Sequence, residues 1–223
     1  MTSIAKLQAM GEQYKHLPCG IKGCTRNRKN VSPYCTVHAD HKARYGHPLG
    51  QAVMQWEYRE ELKVIQQFFK DHTGHPAITA AETFIADWLK QVSTKEAIAG
   101  NSVFARLHHH CVPPRRILEE MCAVWLYSDR HPHALVDDER LTFALARCAA
   151  RLAGWHRKTY ASGSASVRPK GEDVRAAGER IRATLSRFFL NLNQTLKAMA
   201  DDRDALRDDL SRPFLPTPTK KDE

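Results

Sequence analysis

The chain has 223 residues, of which 42% are hydrophobic and 26% charged, and its formal net charge is +9. These proportions exclude a wholly disordered polypeptide, and the length suits a small module joined to a larger folded body. No apolar run reaches the length of a signal sequence or of a membrane span, so we expect a cytoplasmic protein without a membrane partner. The excess of basic over acidic residues favours a polyanionic partner such as nucleic acid.

The positive charge is concentrated in residues 1–50. This segment holds eight basic residues against Glu12 and Asp40, which leaves it with +6 of the total +9. A short helix is predicted over residues 3–16, and Pro18 would end it. The rest is rich in Gly, Pro, Asn and Lys, and has no apolar period. A segment with so few apolar side chains cannot form a core of its own, and a bound metal is the usual remedy in small modules.

Three cysteines and one histidine within twenty residues of this segment have the spacing of a metal site. Cys19 and Cys24 form one pair, with glycines between them that permit a tight turn. Cys35 and His38 form a second pair with the i, i+3 spacing of a helical turn. Thiolate and imidazole ligands in this pattern favour zinc. The alternatives are buried thiols without a metal and a redox pair, but the segment offers little interior and has no C-x-x-C motif.

The segment CGIKGCTRNRKNVSPYCTVHADHKARYGHP resembles the small treble-clef-like zinc modules of phage and mobile-element proteins, which often stand beside HNH endonucleases. The resemblance covers about residues 18–48. It is carried by C-x4-C, by Tyr34 before the third ligand, by C-x2-H and by a closing G-x-P. It implies that the two pairs above bind zinc and that the module associates with nucleic acid, but it implies no particular reaction. His41 and His47 depart from the family pattern, in which arginine and aspartate are usual.

The same segment lacks the catalytic residues of an HNH nuclease. Such enzymes need a histidine base, an asparagine that orients it and a metal-ligating histidine on the following helix. His41 resembles the base at the start of that motif, but no asparagine occurs between Asn30 and Asn101 and no histidine occurs in residues 50–69. We therefore expect a binding protein more than an enzyme.

Residues 51–156 show apolar side chains at helical spacing and no convincing alternating strand. The predicted helices cover residues 51–72, a stretch with a buried face from Ile78 to Val92, and residues 95–111, 114–127 and 138–153. In the first of them the predicted inner face consists of Val53, Trp56, Leu62, Ile65, Phe68 and Phe69. Asp137 or Asp138 is predicted to cap the last helix, and Gly154 to end it. This segment is the helical body.

The three remaining cysteines lie in this body. Cys122 and Cys148 fall on apolar helix faces, so we interpret them as buried core thiols. His108 and Cys111 stand at i, i+3, and a second metal site that combines them with a body cysteine is the weaker alternative.

The C-terminal third begins with residues 157–171, which are small, polar and basic and predict a linker or exposed loop. A long helix over 172–211 follows. Its apolar stripe from Val174 to Leu210 stays on one face of a nearly straight helix, because its members recur every eleven residues. Such a stripe needs a long partner surface, either the body or a second copy of the chain. Residues 212–223 are predicted to be a disordered tail. The predicted fold class is mainly α: a small N-terminal zinc-binding module, an all-helical body and a long C-terminal helix.

The candidates for nucleic-acid contact are Arg26, Arg28 and Lys29 on the loop between the ligand pairs, and Lys42 and Arg44 on the following helix. Cations so placed neutralise phosphates without reading sequence. We predict a non-enzymatic, zinc-containing nucleic-acid-binding protein that favours DNA over RNA and acts as an accessory or regulatory factor. The alternative is a zinc-stapled interaction adaptor or oligomeric scaffold that uses the body and the long helix. Arg115 and Arg116 open a body helix, where positive charge opposes the helix dipole and hints at a further phosphate or acidic partner.

Overall fold

The computed structural model describes Lys6, Ala9 and residues 12–92, 101–135, 137–154, 156–160, 163–167 and 171–211. Most of the predicted N-terminal helix, positions 95–100 and the tail lie outside the described residues. The described chain is mainly α, as predicted. Its elements are α1 (Thr36–Tyr45), α2 (Arg59–Asp71), α3 (Pro76–Val92), α4 (Asn101–His109), α5 (Pro114–Arg130), α6 (Asp138–Leu152), β1 (His156–Tyr160), β2 (Gly163–Val167) and α7 (Gly171–Ser211). The chain divides into two compact units, Met1–Ser186 and Arg187–Glu223.

The core of the first unit lies around α5. This helix packs against α2, α3 and α6, and α4 completes the group through contacts with α3 and α6. Helix α5 buries side chains on several faces, including Ile117, Leu118 and Met121, as expected of a central helix. The surrounding helices turn one face inward. The face predicted for α3, from Ile78 to Val92, is buried at all six of its positions.

Both predicted ends of α6 are confirmed. The side chain of Asp137 accepts a hydrogen bond of 2.7 Å from the backbone N–H of Arg140, which satisfies one of the free donors at the helix start. The helix ends at Leu152, and Gly154 then adopts a φ of +64°, a conformation that glycine reaches without steric cost.

The prediction for the start of α2 is wrong. Residues 51–58 form coil and turns, the helix begins at Arg59, and the indole of Trp56 is 73% exposed where the helical pattern placed it inside. The residues that follow match the pattern, since Leu62, Ile65 and Phe69 are buried. The turn is stabilised instead by distant side chains: Arg151 donates a hydrogen bond of 2.9 Å to the carbonyl oxygen of Val53.

A buried polar network fixes this turn to the core. The hydroxyl of Tyr58 donates a hydrogen bond of 2.6 Å to Glu120 Oε2 and accepts one of 2.6 Å from Arg151 Nη2. Gln55 Nε2 donates to the other carboxylate oxygen of Glu120 at 2.8 Å. Glu120 is 1% exposed, so the network places a carboxylate in the interior, and the turn supplies it with two donors. Burial raises the pKa of Tyr58 far above its ordinary value, which keeps the hydroxyl protonated as a donor.

The segment predicted as a linker contains a β-hairpin. Strands β1 and β2 pair antiparallel, from His156 opposite Val167 to Tyr160 opposite Gly163. Five-residue strands built largely from small and polar residues are too short to show an apolar alternation, so the sequence pattern does not reveal them.

Helix α7 is as long as predicted, and its first half crosses α6 closely. A Cβ atom at Gly178 would overlap the carbonyl oxygen of Thr142, so the absence of a side chain lets the helices approach. Val174, Ala177, Ile181 and Leu185 of the predicted stripe are buried. In the second unit Phe189 is fully buried, whereas the neighbouring Phe188 is half-buried. None of the described helices, α7 included, combines the length and apolarity that crossing a membrane requires.

Candidate metal centre

The four predicted ligands converge. The sulfur atoms of Cys19, Cys24 and Cys35 and a ring nitrogen of His38 all lie within 4.8 Å of one another. Cys19 Sγ is 3.3 Å and Cys35 Sγ is 3.5 Å from His38 Nδ1, and Cys24 Sγ is 4.0 Å from Cys35 Sγ. A tetrahedral zinc site, with Zn–S of about 2.3 Å and Zn–N of about 2.0 Å, requires S···S near ~3.8 Å and S···N near ~3.6 Å. This Cys3His cluster could therefore hold a metal ion such as zinc.

The first ligand pair lies on a turn that the backbone shapes. The N–H of Cys24 donates to the carbonyl oxygen of Ile21 at 3.0 Å, and Gly23 adopts a φ of +82°, where a side chain would be strained. The N–H of Cys19 donates across the hairpin to Arg26 at 2.9 Å. These bonds bring Cys19 and Cys24 to the same side of the turn, as the glycine spacing predicted.

The second ligand pair lies at the start of α1, as its spacing predicted. Cys35 is the N-cap residue of this helix and is 1% exposed, and His38 follows within the first turn. The backbone N–H of Cys35 donates to Cys19 Sγ at 3.3 Å, which joins the two pairs directly. A hydrogen bond of this kind stabilises a thiolate, the form in which cysteine binds metal.

Two of the three cluster thiols, those of Cys24 and Cys35, have pKa values shifted in opposite directions. The backbone N–H of His38, at the positive end of α1, hydrogen-bonds Cys35 and lowers the pKa of that thiol. For Cys24, the backbone N–H of Arg26 acts to lower the pKa, but burial and the neighbouring sulfur atoms of Cys19 and Cys35 outweigh it, so the net pKa is raised. A bound divalent cation would remove this difference between the two thiols, because coordination favours the deprotonated form of every cysteine in the cluster.

The module that carries the cluster packs directly on the helical body. Gly46 ends α1 with a φ of +78°, and a Cβ atom there would lie 2.8 Å from Cδ2 of Phe143 and 3.1 Å from the backbone oxygen of Glu139, both on α6. Arg147, also on α6, donates from Nε to the carbonyl oxygen of Arg44 at 2.6 Å. The role of Arg147 is not predictable from the sequence, because nothing local in the chain links residues 103 positions apart.

Two of the five predicted nucleic-acid contacts lie on the hairpin between the ligand pairs. Arg26 and Arg28 flank Asn27, which pairs with Pro18 in an isolated antiparallel bridge. Arg26 is exposed, whereas Arg28 uses Nε in a 3.0 Å hydrogen bond to the carbonyl oxygen of Pro18. The second side chain is thus oriented by the fold.

The other three predicted contacts lie beside α1. Lys42 Nζ stands 5.6 Å from the centre of the Tyr34 ring, and the backbone N–H of Lys29 donates to the Tyr34 carbonyl oxygen at 2.9 Å, which brings both lysines to that tyrosine. Lys29 Nζ also lies 3.7 Å from a carboxylate oxygen of Asp40, an exposed pair of small energetic weight. Arg44 is exposed near the end of the helix.

No second metal site forms among the residues that the structure describes, where the N-terminal cluster is the one group of three or more potential ligands. Cys122 and Cys148 are buried core thiols, as predicted, and burial raises the pKa of both. Cys111 is exposed at the end of the α4 segment. The alternative site with His108 is therefore not supported.

The charge conflict at the start of α5 is resolved inside the protein. Arg115 and Arg116 both approach Glu119 on the next turn, and Arg116 Nη2 lies 3.2 Å from the buried Glu120. Arg115 Nη2 also donates to the carbonyl oxygen of Phe69, at the end of α2, at 2.6 Å. Both arginines have carboxylate partners within the protein, and Arg115 also has a carbonyl partner at the end of α2. Their position at the start of α5 therefore gives no evidence of an external anion.

Comparison of the chain with models of protein families, with curated proteins and with solved structures found no match.

Proposed function

We propose that this chain is a zinc-containing protein that binds nucleic acid without catalysing a reaction, with DNA favoured over RNA. The N-terminal segment is proposed to be a treble-clef-like module of the phage and mobile-element type, and the chain to act as an accessory or regulatory factor. The single observation that carries the proposal is the concentration of positive charge around a preorganised Cys3His cluster.

The metal site supports the proposal because it explains how a segment poor in apolar residues holds a defined surface. Ligand distances suit zinc, and both pairs are shaped by backbone hydrogen bonds. Metal coordination then supplies folding free energy of about 10 kcal/mol or more in small modules. The loop and helix that present the cations are fixed to that centre. A rigid basic surface of this kind loses little conformational entropy when a polyanion binds.

The arrangement of the cations also supports it. Arg26 and Arg28 flank the bridge residue Asn27, and the ammonium group of Lys42 stands over the Tyr34 ring. Phosphate contacts of this kind give salt-dependent affinity with a slope of roughly −0.9 per neutralised phosphate on duplex DNA. No base-reading contact follows from these residues, so we propose binding that is largely indifferent to sequence.

The test is a fluorescence-anisotropy titration of zinc-loaded protein with a labelled 20-base-pair duplex and with its single strand, at several salt concentrations. We expect the double substitution Arg26→Gln/Lys42→Gln to weaken binding and to reduce the salt slope by about 1 to 2. Lys70→Gln, an exposed lysine at the far end of α2, is the matched control. Absence of binding by the wild type at low salt, or equal losses in the double variant and the control, would refute the proposal.

A second candidate function is the interaction adaptor or oligomeric scaffold. The observation that favours it is the exposed Trp56, which lies with exposed Met54 in a turn fixed by the buried network. Large exposed aromatic side chains on a rigid backbone are typical interface anchors. Sedimentation velocity on the full chain separates the two ideas: self-association lost in Trp56→Ala but kept in Val31→Ala, another exposed apolar residue, would favour the scaffold. A monomeric wild type would count against it.

A further inference from the structure

A second basic segment connects α6 to α7. Residues 156–170 hold no acidic residue and four basic ones, which are Arg157, Lys158, Arg168 and Lys170. This segment therefore carries +4, and residues 1–50 carry +6 of the total of +9, so all other residues together have a net charge of −1. The positive excess of the protein thus belongs to the metal module and to this one connection, and a polyanion is attracted to both.

The larger part of this connection is the β1–β2 hairpin. Strand β1 contains both Arg157 and Lys158, and β2, with the sequence GSASV, contains no acidic residue. Among the described strands, each of the two has a hydrogen-bonded neighbour on one side only. The other side of each strand is an edge, which presents backbone N–H and C=O groups. Backbone N–H groups and basic residues are the donors that proteins use to bind the phosphates of DNA.

Both ends of the β1–β2 hairpin adjoin fixed points of the fold. Strand β1 begins two residues after Gly154, whose carbonyl oxygen accepts a hydrogen bond of 3.0 Å from Arg106 Nη2 on α4. Strand β2 ends four residues before Gly171, the first residue of α7. A Cβ atom at Gly171 would overlap the carbonyl oxygen of Ala43, so α7 begins in direct contact with the backbone of α1.

This contact brings the β1–β2 hairpin close to the basic helix α1. Ala43 lies between Lys42 and Arg44, two of the residues proposed to meet nucleic acid. Four residues of chain span at most about 14 Å, so the end of β2 lies within that distance of Gly171. A five-residue strand has a length of about 17 Å. The two lengths together are shorter than one turn of a DNA duplex, about 34 Å, so the β1–β2 hairpin and α1 can contact the same turn.

We propose that the β1–β2 hairpin is a second nucleic-acid-binding element, which contacts the phosphates of the same DNA duplex that the metal module binds. The inference rests on the proposed function and extends it, because it assigns a second surface to the same partner. A duplex offers the complementary charge, with one negative charge per ~1.7 Å of its axis. Its major groove is also wide enough to admit a two-stranded β-ribbon.

A double substitution in β1, Arg157→Gln/Lys158→Gln, removes two charges from the β1–β2 hairpin. The variant Arg157→Lys/Lys158→Arg keeps both charges and changes the same two positions. Lys63→Gln/Lys70→Gln, which alters two exposed lysines of α2, is the matched control for the loss of two charges. Circular dichroism and zinc content check that each variant is folded and holds its metal.

The first measurement is anisotropy with a labelled 20-base-pair duplex over a range of salt. We expect Arg157→Gln/Lys158→Gln to bind roughly 10-fold to 100-fold more weakly than wild type near 0.1 M salt and to lower the salt slope by about 1.8, the value for two lost phosphates on duplex DNA. The charge-retaining variant and the α2 control should match the wild type.

Three outcomes would contradict this expectation in different ways. If the β1 and α2 double variants behave alike while Arg26→Gln/Lys42→Gln binds more weakly, the inference is overturned and the proposed function stands. If the charge-retaining variant loses as much affinity as Arg157→Gln/Lys158→Gln, the phosphate contact is overturned. A wild type that does not bind the duplex overturns the inference and the proposed function together.

The second measurement is photo-crosslinking to the same duplex, with p-benzoylphenylalanine incorporated at Ala165, which stands opposite Lys158 in the register of the β1–β2 hairpin. Ala80, which is exposed on α3, is the control position. We expect a crosslink at Ala165 and none at Ala80, and an excess of unlabelled duplex should abolish the product. Equal yields at the two positions, or no crosslink at Ala165 in protein that binds the duplex, would overturn the inference.

Discussion

Replacing Gly46 by alanine tests whether the metal module and the helical body fold as one unit. The glycine combines two demands: a φ of +78° and a contact with α6 in which a new Cβ atom would lie 2.8 Å from Phe143 and 3.1 Å from Glu139. A left-handed conformation costs a non-glycine residue about 1–2 kcal/mol. Overpacking at a tight contact adds about 1–3 kcal/mol. The free energy of unfolding should therefore fall by roughly 2–5 kcal/mol in total.

Gly74 provides the matched control, because its φ is +85° but nothing lies within 4 Å of the position that a Cβ atom would take. Gly74→Ala should lose only the conformational part, about 1–2 kcal/mol. Urea unfolding of the zinc-loaded protein, followed by circular dichroism at 222 nm, measures both changes. Equal losses in the two variants would refute the close packing of the module on α6. A loss in Gly46→Ala confined to a separate early transition would refute the single cooperative unit.

Three further predictions concern the buried network, the metal and the exposed turn. Tyr58→Phe should lower the free energy of unfolding by about 1–3 kcal/mol, because Glu120 is left with an unsatisfied oxygen in the interior; a change within error in urea unfolding would show that the hydroxyl is dispensable. His38→Ala should lower the zinc content of purified protein well below the one equivalent expected of the wild type, and an unchanged content by elemental analysis would contradict the ligand assignment. Trp56→Phe should remove tryptophan fluorescence that iodide quenches readily, because Trp56 is exposed, whereas Trp88→Phe should not, because Trp88 is 2% exposed; equal quenching in the two variants would contradict the exposed turn.

The metal cluster and the helical class were predictable because both depend on short-range pattern. Ligands at C-x4-C and C-x2-H need only one turn and the start of one helix to bring each pair together, and those local geometries follow from glycine placement and helical period. The same is true of α3, whose amphipathic face is complete within 17 residues, and of the Asp137 cap.

Other features were decided only by contacts between distant parts of the chain. Trp56 fits a helical pattern, yet its segment forms a turn because Arg151 and Glu120, far along the chain, satisfy its polar groups. Arg28 and Lys29 look like free cations in the sequence, but the fold gives one a carbonyl partner and the other a carboxylate.

The sequence by itself determined a mainly helical protein with an N-terminal Cys3His cluster inside a basic segment. Only the tertiary structure shows that this segment packs on the helical body and is not an independent module. Gly46 lies against Phe143, and Arg147 on α6 hydrogen-bonds the backbone of α1. The physical reason is that local propensity and ligand spacing are encoded within a few residues. Close packing and buried hydrogen bonds, in contrast, depend on which surfaces meet, and those pairings span up to 103 positions of the chain.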